Sequence, residues 1–446
     1  MFKHALPAVL VSAALGGPAQ AADPAEVERL RVEFDQKIKA LQAEYESRLK
    51  ALEARLAEQA SAPAPARPAA SRGNAFNPEV SLTLQGSYAQ REGGEHHLTG
   101  FLTGADHEHG GERGFRLDHT ELTLAADIDS WLRGYANLAL IEDAVEVEEA
   151  WFQTLGLGNG FTLKGGRFLS GIGYANEQHP HAWDFAENSL MYTALFGESF
   201  GQDGLQLKWL APTETFIELG AEIGRGSRFP GSESGGDRNG TGAWAAFAHV
   251  GGDLGDSSSW RAGLSYLHAR PIDRASHVED ASEIEAEARF TGKSKTWIAD
   301  LVWKWAPDGN PKARNLKLQA EYFQRDEAGD LSCLANGNDC TGQTDAYHAA
   351  TSGWYVQGVY QFAPRWRIGL RYDRLDSGNP DIGVLPIELP DYQPSRWSLM
   401  ADYSPSEFSR FRVQYARDHG MQGDPDDSQV TVQYIHSLGA HGGHKF

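Results

Sequence analysis

Arg365-Trp366-Arg367-Ile368-Gly369-Leu370-Arg371-Tyr372-Asp373 decides how the rest of the chain is read. Trp366, Ile368, Leu370 and Tyr372 fall on one face of a strand, and Arg365, Arg367, Gly369 and Arg371 on the other, because successive strand residues point to opposite sides. Thr215–Ile223 repeats the pattern, with Ile217, Leu219, Ala221 and Ile223 set against Glu218, Gly220 and Glu222. A soluble sandwich alternates in the same way, but its apolar face is not ringed by aromatics at the strand ends. Here Trp131, Trp209, Trp303, Trp305, Trp366, Trp397 and Tyr403 cluster near short turns, as an aromatic girdle at a membrane boundary would. The fold expected is all-β: an antiparallel transmembrane β-barrel.

Working outward, about ten residues of alternating character recur between turns. They place strands near 79–89, 114–128, 131–142, 145–155, 161–168, 203–211, 215–224, 242–252, 259–269, 295–305, 315–325, 351–363, 365–375, 395–403, 409–418 and 428–446. That makes about 16, an even number that leaves both termini on the periplasmic side. Glu283–Phe290 alternates weakly and is assigned to a loop, since another strand would break the parity. Short connections such as Ala211–Glu214 and Ala363–Arg365 alternate with long ones such as Leu169–Asp203 and Arg270–Lys295, the asymmetry expected of periplasmic turns and external loops. The final strand carries Val430, Val432, Tyr434, His436 and Leu438 on one face and ends on Phe446. A terminal Phe after an alternating strand resembles the signal read by the outer-membrane insertion machinery.

Three segments precede the barrel at 77–446. Residues 1–21 read as a secretory signal: a basic start, an apolar run too short to span a membrane, then Ala19-Gln20-Ala21. Residues 22–60 carry Val27, Leu30, Phe34, Ile38, Leu41, Tyr45, Leu49, Leu52 and Leu56 at steps of three and four. That is an eleven-residue repeat, which favours a nearly straight α-helical coiled coil. One narrow apolar stripe needs copies of itself or the underside of the barrel to be buried, so a homo-oligomer is expected, a trimer first among counts, in the periplasm; a lone helix against peptidoglycan or the barrel rim is the alternative. Residues 61–76 are a semi-extended Pro/Ala linker.

Composition agrees with an exported β protein of the bacterial outer membrane, with lipid and lipopolysaccharide as surroundings. The chain has 49 Gly, 12 Trp, 15 Tyr and 20 Phe, but 2 Cys and 4 Met. Mean hydropathy is −0.47, as a barrel allows because only every second residue faces lipid. A formal charge of −21 leaves no surplus of cations for a nucleic-acid partner.

If the apolar faces meet lipid, the others line a pore. Arg365, Arg367, Arg371, Arg396, Arg410 and Arg412 then face Glu121, Glu218 and Glu222 from the first half of the barrel. Opposed walls of charge resemble the transverse field of a porin constriction; the plainer alternative is that lumen charges pair across strands. The long, partly apolar segment Leu169–Asp203, with Tyr174, Trp183, Phe185, Met191 and Tyr192, is the candidate for a loop that folds into the pore or packs as an external lid. His96, His97, His107 and His109 in the first long loop, with His179 and His181 in a later one, offer ligands at short spacing beside carboxylates. They are candidate Zn²⁺ ligands or plain polar residues; no cofactor is required. Cys333 and Cys340, seven apart in one loop of an exported protein, read as a disulfide.

Phe76-Asn77-Pro78, Val145–Thr154, Gly171–His179, His181-Ala182-Trp183-Asp184 and Ser437–Phe446 resemble an uncharacterised family of Gram-negative outer-membrane proteins. Its members are often labelled TonB-dependent or zinc-regulated receptors. A TonB-dependent transporter needs a plug of well over a hundred residues, and coiled coil and linker supply no such domain, so that label fits poorly. Architecture alone is closer to phosphate- and sugar-selective porins. The reading is therefore a channel for passive, selective diffusion of a small solute or ion, with a surface receptor capturing zinc through the His-rich loop as the alternative. Neither a Gly-x-Ser-x-Gly elbow nor a Ser–His–Asp set on one strand face appears, so no catalytic residue is assigned and no enzyme is expected.

Overall fold

The structure, a computed structural model, describes residues 78–439 except 93–97, 99–100, 104–112, 142–143, 335–338, 390 and 421–425, together with residues 36, 37, 39, 43 and 50. The signal segment, nearly all of the coiled-coil stretch, the linker, His96, His97, His107, His109 and Phe446 lie outside the described residues.

Nineteen strands form one antiparallel sheet: β1 (Glu79–Arg91), β2 (Gly114–Leu117), β3 (Thr120–Asp127), β4 (Leu132–Ile141), β5 (Ala144–Thr154), β6 (Phe161–Leu169), β7 (Gly201–Leu210), β8 (Phe216–Gly224), β9 (Ala243–Leu254), β10 (Ser258–Ala269), β11 (Arg274–Asp280), β12 (Glu285–Trp305), β13 (Asn315–Cys333), β14 (Gln343–Ala363), β15 (Trp366–Asp376), β16 (Ile387–Glu388), β17 (Ser395–Ser406), β18 (Ser409–His419) and β19 (Asp426–Gly439). All but β2, β11 and β16 are staves of the wall, which makes 16. β1 pairs with β19 from Ser81↔Gly439 to Arg91↔Gln429, so the sheet closes on itself and has no edge.

Alternation sets the two surfaces. Trp366, Ile368 and Leu370 are 45–49% exposed on the outside, while Arg371 and Asp373 on the same strand are buried inside. Leu219 and Ile223 face out and Glu222 faces in on β8. Aromatics ring the exterior at two heights. Trp366 packs at a tilt on Tyr403 near the short turns, and Trp354, Tyr372 and Trp397 pack ring to ring across three strands toward the long connections. Trp397 thus belongs to the upper ring rather than to the short-turn end. Trp366 and Tyr372 stand roughly 20 Å apart along the strand at about 3.3 Å per residue, which a strand tilt of about 40° turns into roughly 15 Å of height within the apolar band.

The sequence-based assignment of Glu283–Phe290 to a loop is corrected. Its residues Glu285–Phe290 open β12, which runs 21 residues, and pair with β11 from Arg274↔Phe290 to Glu279↔Glu285. β13 and β14 are similarly long, at 19 and 21 residues. These strands are about twice the 9–11 residues a tilted membrane strand needs, so they project past the bilayer. Parity survives because β11 is an added ribbon and not a stave. Phe290, Leu331, Tyr347, Ala349 and Ile387 form a small apolar core on this extension, and Cys333 and Cys340 are bonded within it, their Cα atoms 5.4 Å apart.

Candidate functional site in the barrel lumen

The segment between β6 and β7 is folded into the lumen as a plug. Its neck is closed by Ser170 N donating to Phe200 O at 2.9 Å, and Asn176 bonds both Ser170 O and Phe200 O. A single 3₁₀ turn (Pro180–Ala182) and a seven-residue helix (Leu190–Phe196) follow, the helix closed by Gly197 at φ 61°. Ile172, Met191, Tyr192 and Phe200 are fully buried. They pack on inward-facing Phe247, Leu267, Ile298 and Phe323, apolar residues that a water-filled barrel would not keep on its inner face.

Polar contacts fix the plug to the wall at several points around the barrel. Arg412 donates to Phe185 O at 2.6 Å and Trp183 O at 2.8 Å. Arg371 donates to Glu187 O, Glu187 Oε1 and Asn188 O at 2.8–3.2 Å. Arg410 reaches the carbonyls of His181 and Trp183. Arg367 holds Asp184 at 3.0 Å, and Lys317 holds the same carboxylate. Arg396 pairs chiefly with Asp418 and lies 3.8 Å from Glu187. Burial would push the Asp184 carboxyl up, but Lys317, Arg367 and Arg410 outweigh it and hold it well below the usual carboxylate range.

Glu222 accepts from Ser170 Oγ at 2.6 Å and Gly171 N at 2.9 Å. Glu321, on the same strand as Lys317, takes the Tyr174 amide and the Tyr192 hydroxyl. His179 lies between Glu148, Glu149 and Glu121, and His181 Nδ1 is 2.9 Å from Glu121. Burial alone would lower the His179 pKa, but these three carboxylates hold it well above its ordinary value. The two histidines grouped with the external loop by sequence therefore sit inside the barrel.

Five of the six pore-lining arginines named from the sequence do point inward, but they spend their donors on the plug or on wall carboxylates. Arg365 is the exception. It occupies the tight turn between β14 and β15 at φ 74° and is exposed there, so it lines no pore. Glu218 lies on the wall beside His249 at 3.1 Å. Arginines and carboxylates both lie on the inner surface, and the plug packs among them.

Glu148, Glu149, Glu321 and Lys317 are the residues sequence reasoning missed. For the first pair a signal existed. Val145 and Val147 face lipid, so Glu148 faces in, and strict alternation would then place Glu149 in the bilayer. The structure solves this with a bulge: Asn137 pairs with Glu149 and Leu138 with Val147, leaving Glu148 unpaired and both carboxylates inside. Phe152 is then again on the exterior. Glu321 and Lys317 carry no such mark, because their partners are more than 100 residues away in sequence.

Comparison with known proteins agrees with the fold. The structure superposes on the loop L8 deletion mutant of OmpT, an outer membrane protein of Vibrio cholerae, with a TM-score of 0.51 and 13% identity, covering 82% of this chain and 100% of that one. The trimer form of in-vitro folded OmpT gives 0.51 at 11% identity over 81% and 99%. Pseudomonas putida OprB gives 0.50 at 13% over 81% and 94%. At such identities the likeness is one of fold, that of a porin-like outer-membrane barrel, and it lends no support to the zinc-regulated or TonB-dependent label. No family model matches the chain. An uncharacterised protein of Aquifex aeolicus (strain VF5) is 31% identical over 396 residues, which cover 83% of this chain and 80% of that protein. The chain therefore belongs to the same family as this Aquifex aeolicus protein.

Proposed function

We propose that the chain is an outer-membrane, porin-like channel for passive, selective diffusion of a small solute or ion through the cross-section the plug leaves open. The observation that carries this reading is the closed 16-stranded wall with an apolar exterior and a charged interior, narrowed by a loop of its own chain. Energised uptake has no counterpart in a plug tied to the wall by buried ion pairs. Purified, folded protein in a planar bilayer should give small, discrete conductance steps, and reversal potentials in asymmetric salt report the ion preference. A folded barrel that inserts and passes no current would end the proposal. Self-association through the 22–60 stalk, as a trimer, is proposed alongside it; light scattering with and without residues 22–60 tests that separately. Zinc capture by His96, His97, His107 and His109 is the alternative reading, judged by zinc calorimetry on the barrel with and without those four side chains.

A further inference from the structure

We infer that Glu121, Glu148 and His179 form a site for one divalent first-row cation, which staples the plug to the barrel wall. The ligand atoms come from three separate elements: β3, the bulge of β5 and the plug. His179 Nδ1 lies 3.5 Å from Glu121 Oε2 and 3.1 Å from Glu148 Oε2, and the three donor atoms are all within 4.8 Å of one another. Two donors about 2.1 Å from an ion, and roughly tetrahedral about it, stand about 3.4 Å apart. Both carboxylate oxygens thus already stand at chelate spacing from Nδ1.

What surrounds these atoms distinguishes the site from a chance gathering of charge. A ligating imidazole needs its other nitrogen held by an acceptor, which fixes the tautomer and aims the lone pair. His179 Nε2 is 3.0 Å from Glu149 Oε2, so Nδ1 is the nitrogen turned toward Glu121 and Glu148. Each carboxylate is likewise held by its second oxygen: Glu121 Oε1 by His181 at 2.9 Å and Glu148 Oε1 by His119 at 2.8 Å. Asn137, 1% exposed, donates to Glu121 Oε2 at 2.8 Å, and its own Oδ1 has no partner among the described residues, an open acceptor for water on the ion. The bulge that turns Glu148 and Glu149 to the same side supplies one ligand and the group that orients another. One nitrogen with two carboxylate oxygens suits Zn²⁺, Mn²⁺, Fe²⁺ or Co²⁺ better than Ca²⁺ or Mg²⁺, which take oxygen alone. In the metal-free protein a proton on Nδ1 fills the same gap.

The test uses full-length, untagged protein in detergent, with His96, His97, His107 and His109 changed to Ala so that the external loop contributes nothing. After chelator treatment and equilibration with micromolar Zn²⁺, one equivalent per chain should remain bound. His179→Ala and Glu148→Gln should each abolish retention. Glu149→Gln keeps all three ligands but has a single acceptor oxygen for His179 Nε2, Leu169 N and Trp151 Nε1 together. The carboxylate that orients His179 is thereby lost, and zinc binding should weaken about 10–100-fold. Heat-modifiable electrophoretic mobility reports whether each variant still forms the barrel, and should His179→Ala fail to fold, Glu149→Gln carries the decision. No retained zinc in the four-histidine variant, or equal affinity after Glu149→Gln, would overturn the site. Neither outcome depends on whether the barrel conducts.

Discussion

At the scale of single residues, the arginines show why charge pattern alone misleads. Arg412 is 1% exposed and spends its guanidinium on Phe185 O, Trp183 O, Asp402 and Gln433. Arg412→Ala leaves Phe185 O without this donor and takes one of three arginines from Asp402, which keeps Arg367 and Arg410, a loss of about 1–3 kcal/mol. We expect a lower unfolding midpoint and a noisier, larger conductance, measured together on the same preparation. Asp184 gives a signed pH test. Its carboxyl is held below the ordinary range, so its ionised form favours the docked plug above about pH 4, and that contribution fades as pH falls through and below that value. The gap in urea midpoint between wild type and Asp184→Asn should therefore be widest near neutrality and shrink in acid. A gap that stays constant from about pH 7 to pH 3 would remove the electrostatic role assigned to Asp184.

Elements were legible where lipid writes the pattern. β8, β15 and β18 expose one apolar face to the membrane, and period-two alternation located them without ambiguity. Alternation continues in β12 to β14 beyond the bilayer, where no membrane limits strand length, so Glu285–Phe290, Asp326–Cys333 and Gln343–Ala350 read as loops although they are paired. The plug was recognisable as a partly apolar segment too long for a turn, but its partners were not. Arg412 and Trp183 are 229 residues apart, and a wall arginine aimed at a backbone carbonyl looks identical in sequence to one lining water. The extension also carries its own prediction. The Cys333–Cys340 bond closes a short loop at the tip of the β13–β14 hairpin, and a closure of this length is worth about 2–3 kcal/mol to the segment it constrains. Cys333→Ser should speed proteolysis within 334–342 while leaving the barrel's thermal midpoint within about 2 °C, since the tip lies above the staves. An equal fall in both would mean that the extension and barrel unfold as one unit.

For the whole molecule, wall and plug are separable in a way that can be tested. The wall closes through ladders that never involve the plug, and Leu169 still pairs with Gly201 at its neck. Docking, however, buries Met191, Leu195 and Phe196 against inward-facing apolar side chains. At about 1.5–3 kcal/mol each, those three alone hold it by on the order of 5 kcal/mol. An undocked state would then be rarer than about one molecule in a thousand, which makes the plug a permanent narrowing of the lumen and not a gate that swings at rest. Replacing residues 172–198 with a short Gly/Ser link joins ends that already touch through Ser170 and Phe200. The truncated barrel should still insert and migrate as a folded species, with a reduced midpoint because Phe247, Leu267, Ile298 and Phe323 now meet water. Its conductance should rise several-fold over wild type, and its ion preference should move toward that of the freed Arg371, Arg410 and Arg412. A truncated barrel that is folded yet conducts no better than the intact chain would show that the barrier lies elsewhere in the lumen.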